Sequence, residues 1–327
     1  MIFVMNPSKQ PKYMGLTGLK WSTKKQLFDF SSKSIYYWWW QFLRLTPEFW
    51  YAQQTKNPIT DPELRRVYEA IGGFPSHSFK AWWEQYGSTV FAEVERTDRV
   101  RQIDPDQERL AANPETFLVE VPLSLNKREI ASQFVLLLNK VHRGRKYDVE
   151  AYSNAQLKLY NHKYNLKTLE RQYWVMLYKL IYPQAPLWVI GDRLRLALHL
   201  DVRHIDRKTV ERRLEMMFLQ LQSHTWRYHS YAQHLRINLK QGAFPNYTKL
   251  ALNPDYMPFG PELDQDFKTK TDEGYQSNSP WQIWLKRHYK AVLDEKIYSL
   301  NKLQNQYKND SHFKSHFHKF ILGTLEM

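Results

Sequence analysis

The stretch SIYYWWWQFLRLTPEFWYAQQ, residues 34–54, carries the strongest structural signals in the first part of the chain. Nine of sixteen consecutive positions within it are aromatic. Ser34 is a favoured N-cap residue and predicts a helix that ends near Leu45. Thr46-Pro47-Glu48 has the order of an N-cap, a first helical residue and a first-turn acid. The stretch therefore predicts two short helices that carry large rings.

The same start signal returns twice further along the chain. Asp61-Pro62-Glu63 precedes LRRVYEAI, and Gly72-Gly73 follows it. Ser78 opens FKAWWEQY, which Gly87 closes. Four short helices packed through aromatic side chains are the result that we expect. From Val90 to Val121, VFAEVE and TFLVEVPL have the alternating or apolar runs of strands, so residues 1–150 are predicted to form an aromatic-rich α+β unit.

Helical patterns dominate the second half of the chain. Just before the second half, the stretch KREIASQFVLLLNKVH has a clear helical pattern and predicts a helix that ends at Gly144. Asn165 caps a helix that stops at Pro183, and a short helix is predicted over 187–198. A long helix then runs from Asp206 towards a stop at Gly242. At 100° per residue, its predicted apolar face consists of Leu214, Met217, Phe218, Leu221, Thr225, Tyr228, Ala232, Leu235 and Leu239. Its predicted polar side consists of Arg213, Gln220, His224, Arg227, Tyr231, His234 and Asn238.

Residues 243–280 are rich in turn formers and predict an irregular segment. A last amphipathic helix is predicted from Pro280. The predicted fold class is therefore mainly α: the α+β unit is followed by an all-helical, basic unit over 151–327 with a helix-turn-helix-like pair.

The charge of the chain indicates its class of partner. Among 327 residues, 47 Lys and Arg exceed 33 Asp and Glu, which gives a net charge of +14. A basic surplus of this size favours polyanions, above all nucleic acid. There is no cysteine, which excludes disulfides, thiolate metal sites and cysteine nucleophiles. No apolar run reaches the length of a membrane span and no signal peptide is apparent, so a cytoplasmic protein without a membrane partner is expected.

The helix-turn-helix-like pair lies between Leu187 and Gln241. A short helix, a turn of about eight residues and a helix that begins RKTVERRLEMM follow the outline of that motif. An ordinary pair of packed helices is the alternative interpretation, because the turn is longer than usual and lacks a glycine. In the DNA-binding interpretation, the contacts come from Arg203, His204, Arg207, Lys208, Arg213 and Arg227.

A second basic cluster surrounds Gly144 at the end of a predicted helix. Cations suit a helix C-terminus, but six cationic or titratable groups in eight residues exceed that need. We therefore expect sequence-independent phosphate contacts from this loop. The residues that we assign to them are Lys140, Arg143, Arg145 and Lys146.

The tryptophans of the opening stretch have a different predicted use. Three consecutive Trp cover most of the circumference of a helix, whereas rings that stack on bases usually stand singly on a surface. Core packing or a protein–protein interface is the interpretation that we favour. The candidate partner-binding residues are Trp38, Trp39, Trp40 and Trp50.

One short motif resembles an enzyme family. His316-Phe317-His318 has the His-hydrophobic-His form of metal-dependent single-strand nickases and replication initiators of the rolling-circle type. The resemblance implies two His that bind a divalent ion and a Tyr that attacks the phosphate. No phosphate-binding loop, dinucleotide fingerprint, zinc-protease motif or serine-hydrolase elbow is present.

We predict a non-catalytic nucleic-acid-binding protein without a cofactor, with DNA preferred over RNA, that works with other protein subunits in a mobile-element, replication or defence complex. A docking subunit that uses its Trp-rich helices is the first alternative, and the nickase is the second.

Overall fold

A computed structural model of the chain describes residues 34–75, 78–92, 119, 121–141, 155–160, 164–197, 211–250, 256–274 and 278–306. Of these residues, 68% are helical and none belongs to a strand. The mainly α class is thereby confirmed. Most of the segment predicted as strands, residues 93–118 and 120, lies outside the described residues. Val90, where the first strand was predicted to start, is the last residue of a short helix.

Four helices of the first part begin where their capping residues predicted. Helix α1 (Ile35–Leu43) begins after Ser34, whose hydroxyl accepts a hydrogen bond from the backbone N–H of Tyr36 at 3.2 Å. Helix α2 (Pro47–Thr55) has proline as its first residue. Helix α3 (Pro62–Ala70) is capped by the Asp61 carboxylate, and α4 (Phe79–Trp82) by the Ser78 hydroxyl.

The predicted stop at Gly87 is wrong. After α4 the chain continues through a π-helical turn (Trp83–Gly87) into helix α5 (Ser88–Val90). A Cβ atom at Gly87 would lie 2.6 Å from the Trp83 ring and 3.0 Å from the Trp82 ring. The glycine therefore lets two large rings approach the backbone, and it does so without ending the helix.

The following helices belong to the second half of the chain and the segment before it. Asn126 caps α6 (Lys127–Val141), accepting from the N–H groups of Arg128 and Glu129. Asn165 caps α7 (Leu166–Ile181), as predicted. The others are α8 (Leu187–Arg193), α9 (Glu211–Leu239), α10 (Pro261–Thr271) and α11 (Pro280–Gln306).

Helix α8 ends at Arg193, earlier than predicted. Arg195 has a φ of 48°, in the left-handed region, which takes the chain out of the helix. The predicted helix start at Asp206 lies outside the described residues.

Helix α10 lies within the segment predicted to be irregular. Pro261 opens it, Glu262 and Asp264 occupy its first turn, and Lys268 and Lys270 its last. This order of charges matches the helix dipole, and ion pairs join Lys268 to Asp264 and Lys270 to Asp266. The turn formers around the helix hid it from a prediction based on composition.

Helix α7 is the centre of the core. It contacts α1, α8, α9 and α11, and residues 172–178 are all buried. One continuous hydrophobic core contains side chains from α1, α2 and α3 together with side chains from α7, α9 and α11. The Trp50 and Trp281 rings meet within it at 5.4 Å between centroids. Residues on both sides of the predicted division at 150 thus share this core, and the division itself stays a prediction.

The long helix α9 buries the face that its periodicity predicted. Leu221, Thr225, Ala232, Leu235 and Leu239 are buried. Asn238 was assigned to the polar side and is also buried. Its Nδ2 donates to the carbonyl oxygens of His234, Asn246 and Thr248, at 2.8, 3.2 and 2.8 Å. This amide satisfies carbonyl groups in the turn after α9, which periodicity alone does not reveal.

Candidate nucleic-acid interface

Three of the predicted contact residues lie on described helices. Lys140 near the end of α6 and Arg227 on α9 are exposed. Arg213 lies on the first turn of α9, and its side chain is not described. The other predicted nucleic-acid and metal residues lie outside the described residues; they are Arg143, Arg145, Lys146, Arg203, His204, Arg207, Lys208, His316 and His318.

The four candidate partner-binding tryptophans lie inside this chain's own core. Trp38, Trp39, Trp40 and Trp50 are all buried. Trp39 stacks on Trp82 with 5.8 Å between ring centroids. This is the core-packing use that the sequence allowed, and a docking role for these residues stays a prediction.

Arg227 is exposed on the outer side of α9. Its neighbour Trp226 is 56% exposed, and Tyr231, one turn further along, is 48% exposed. From α7, the exposed Arg171 donates a hydrogen bond to the Tyr228 hydroxyl at 3.2 Å. We call Arg171, Arg227, Tyr228 and Tyr231 the α9 surface; Trp226, five residues before Tyr231, lies about 140° away around the helix and is not part of it. It combines two cations with accessible rings.

Further contacts hold this surface in place. The His224 ring meets the Tyr228 ring edge-on at 5.2 Å, and Tyr231 meets Tyr247 at 5.4 Å. The Tyr247 hydroxyl donates to Gln172 on α7 at 3.2 Å. Burial raises the pKa of Tyr247, so this hydroxyl keeps its proton. The rings are therefore oriented before any ligand binds.

A groove lies where α7 turns into α8. It has a volume of about 420 Å³, and its lining includes Tyr178, Tyr182, Pro183, Val189, Ile190 and Arg193. Its size falls within the range of small-ligand sites. We call it the tyrosine groove. Tyr182 is 49% exposed there, and Arg193 is exposed at the end of α8.

Sequence reasoning found part of the α9 surface and missed the groove. Helical spacing placed His224, Arg227 and Tyr231 on the polar side of α9. Arg171 was missed because it comes from another helix. The helix stop at Tyr182-Pro183 indicates a turn at the position of the groove. Residue spacing does not reveal that Arg193 lines this groove as well.

A buried polar network crosses the core, and its chemistry is that of a structural element. The Tyr173 hydroxyl lies 2.8 Å from Nε2 of His288 and donates to Gln41 at 3.1 Å. Gln41 in turn donates to the Tyr37 hydroxyl. Burial lowers the pKa of His288 and raises the pKa of Tyr173, so both groups are neutral. The network connects α1, α7 and α11.

The described parts of the chain contain neither a metal-ligand cluster nor a membrane-spanning helix. No three His, Cys, Asp or Glu side chains come together there in a group suited to a metal ion. None of the helices described above is both long and apolar enough to cross a bilayer.

Comparisons with known proteins found nothing similar: no family model, no curated protein and no solved structure matches the chain. Its function must therefore be argued from its own residues.

Proposed function

We propose that this protein binds nucleic acid through the α9 surface and acts without a catalytic step. The single observation that carries the proposal is the presence of Arg171, hydrogen-bonded to Tyr228, and of Arg227, one helical turn from the exposed ring of Tyr231. Cations that follow a phosphate backbone and rings on which bases stack are the two elements of a nucleic-acid surface. The net charge of +14 attracts the same ligand over a longer range.

The close contact of α8 and α9 supports the same proposal. A Cβ atom at Gly191 would lie 2.1 Å from Thr225 Oγ1, so only glycine lets the two helices approach this far. The proposed helix-turn-helix consists of these helices and their connection. Arg203, His204, Arg207 and Lys208 would add phosphate contacts from that connection, and Arg213 from the start of α9. DNA is the ligand that such a pair favours.

Lys140 and the predicted cluster after it would extend the phosphate contacts. Lys140 is exposed near the end of α6. Arg143, Arg145 and Lys146 would continue the positive charge beyond the helix. Contacts of this kind raise affinity for every sequence equally, and they make binding sensitive to salt. The work of the protein within a larger mobile-element, replication or defence complex is part of the same proposal.

The test is a salt titration of binding to labelled duplex DNA, single-stranded DNA and RNA. The variant pair Arg171→Gln with Arg227→Gln is compared with Lys80→Gln with Lys268→Gln, which removes the same charge from exposed positions on α4 and α10. Between about 50 and 200 mM salt, the native protein is expected to lose several decades of affinity. The slope of log K against log salt is expected to fall by about 0.9 for each lost phosphate contact.

Two outcomes contradict the proposal. Weak binding of the native protein to all three nucleic acids at low salt means that the charge of the chain serves another purpose. An equal loss of affinity in both variant pairs means that binding depends on net charge and not on the α9 surface. Circular dichroism of each variant verifies that the fold is intact.

A docking subunit is the second candidate, and α6 is the observation that favours it. Phe134, Val135, Leu136 and Leu137 are 36%, 52%, 62% and 38% exposed. Adjacent exposed apolar side chains are typical of protein–protein contact sites. Association that persists at high salt and is lost in Leu136→Glu would support this candidate, because salt does not screen apolar contacts.

A further inference from the structure

The tyrosine groove has the geometry of a site that is formed before a ligand arrives. The N–H of Ala185 donates to the carbonyl oxygen of Tyr182 at 3.0 Å, which closes the turn between α7 and α8. Lys179 Nζ donates to the carbonyl oxygen of Ala185 at 3.1 Å and fixes the same turn from α7. Pro183 removes one backbone freedom from it. The groove therefore needs little ordering to receive a ligand.

Aromatic rings form one side of this groove. Tyr182 packs on Tyr178 with 6.0 Å between ring centroids at 36°. Tyr178 is held from behind by Tyr289, with 3.1 Å between the two hydroxyl oxygens. Tyr182 thus has a supported position and a half-exposed ring, as a stacking platform requires.

Arg193 gives the groove its charge. It lines the groove together with Tyr178 and Tyr182. Burial raises the pKa of the Tyr178 and Tyr289 hydroxyls, and the positive charge of Arg193 lowers both by a smaller amount. Within the described part of the chain, Arg193 has no carboxylate partner. Guanidinium groups that are not neutralised by a carboxylate bind phosphate through paired donors.

We infer that the tyrosine groove binds an unpaired nucleotide of a single strand, with its base against Tyr182 and its phosphate on Arg193. This inference rests on the proposed function and names the substrate class of the protein. The groove has a volume of about 420 Å³, an aromatic side and a guanidinium group. These properties suit a ligand that has a flat ring and an anionic group. Bases of a duplex are stacked on one another and do not enter such a site. The groove would therefore add a preference for single strands to the general affinity of the α9 surface.

The experiment compares Tyr182→Ala, Tyr182→Phe and Arg193→Gln in the full chain by fluorescence anisotropy. The probes are a labelled oligothymidine of about 15 nucleotides and a duplex of the same length. Tyr182→Ala is expected to weaken single-strand binding by about 5- to 150-fold, and Tyr182→Phe to retain it, because the ring and not the hydroxyl stacks on the base. Arg193→Gln is expected to weaken it about 10-fold or more. Duplex binding is expected to stay at the native level in both Tyr182 variants.

Two results separate failure of the groove from failure of the proposed function. Native single-strand affinity in Tyr182→Ala, together with a loss in Arg171→Gln with Arg227→Gln, overturns the groove and leaves the α9 surface standing. A native protein that binds neither probe overturns both.

The source of the nucleotide is tested by competition with thymidine monophosphate. Displacement of the oligothymidine only at millimolar monophosphate supports a strand as the ligand. Tight, Arg193-dependent binding of the monophosphate, with oligothymidine affinity unchanged in Arg193→Gln, assigns the groove to a free nucleotide and overturns the inference.

Discussion

Helix α1 and the middle of α6 have similarly apolar sequences, IYYWWWQFL and IASQFVLLL, and opposite surroundings. All nine residues of α1 are buried. Between Lys127 and Lys140, every side chain of α6 is exposed except Ile130 and Leu138, which are half-buried. Apolar content therefore predicts a helix but does not predict whether other elements cover that helix.

The neighbours of the two helices explain this difference. Helix α1 contacts α7 and α9, and its rings meet further rings from the α4 region, such as Trp82 and Phe91. A helix that is apolar on every side needs partners on every side. These partners of α1 come from three separate parts of the chain, which no local pattern reveals.

Removal of a buried ring from α1 is predicted to destabilise the protein strongly. Trp39→Ala is predicted to lower the free energy of unfolding by about 3–5 kcal/mol, because it removes a fully buried ring stacked on Trp82. Leu136→Ala in α6 is the matched control, with a predicted change within about 0.5 kcal/mol at an exposed position. Urea unfolding of both variants measures the contrast. A similar loss in both would show that α6 is covered in solution.

The dependence of stability on pH gives a second contrast between a helix that packs in the core and the exposed helix α6. Burial, with help from Lys179 and Arg236, lowers the pKa of His229 on α9 to about 4 from an ordinary 6.5. The unfolded chain therefore binds a proton between these two values while the folded protein does not. Stability from this group is complete above about pH 6.5 and is lost as the pH falls towards 4, by up to about 3 kcal/mol.

The variant His229→Gln tests this prediction. Helix α6 has no histidine, so it contributes no histidine titration to the pH dependence of stability. The variant is expected to unfold with a weaker dependence on pH across the same range in urea titrations. His288, whose pKa burial also lowers, leaves a residual dependence. An unchanged pH profile in His229→Gln would mean that this imidazole is protonated as easily in the folded protein as in the unfolded chain.

A smaller effect extends the comparison to the contact between α8 and α9. Gly191→Ala is predicted to lower the free energy of unfolding by about 1–3 kcal/mol, because the new Cβ meets Thr225 Oγ1. On an uncrowded helix the same change would raise stability by up to about 1 kcal/mol. A measured loss of stability therefore supports the close contact between α8 and α9, and a measured gain contradicts it. Adding Thr225→Ala, which removes the clashing oxygen, is expected to recover part of the loss.

Much of the fold could be predicted from capping residues. Ser34, Asp61, Ser78 and Asn165 each begin a helix, because the N-cap hydrogen bond is local in sequence. Gly87 misled the prediction because its role is to admit two rings, which is a property of packing and not of the backbone alone. Helix α10 was missed because turn formers on both sides of it dominate the local composition.

The candidate site was less accessible to prediction than the fold. The spacing of His224, Arg227 and Tyr231 on one helix is visible in the sequence. Arg171 lies 57 residues before its partner Tyr228, and only packing brings the two helices together. Arg193 and Tyr182 line one groove beside a turn that the Lys179–Ala185 hydrogen bond fixes. Sites assembled from different helices are beyond the reach of periodicity.

The contacts of α2 also have a consequence for synthesis of the protein. The Tyr51 hydroxyl donates to Asp266, which lies 215 residues further along the chain. At a translation rate of about 5–20 residues per second, about 10–40 s separate the appearance of these two partners. During that interval the rings of α1 and α2 leave the ribosome before the helices that cover them. The nascent chain therefore exposes these aromatic side chains until the later helices are synthesised.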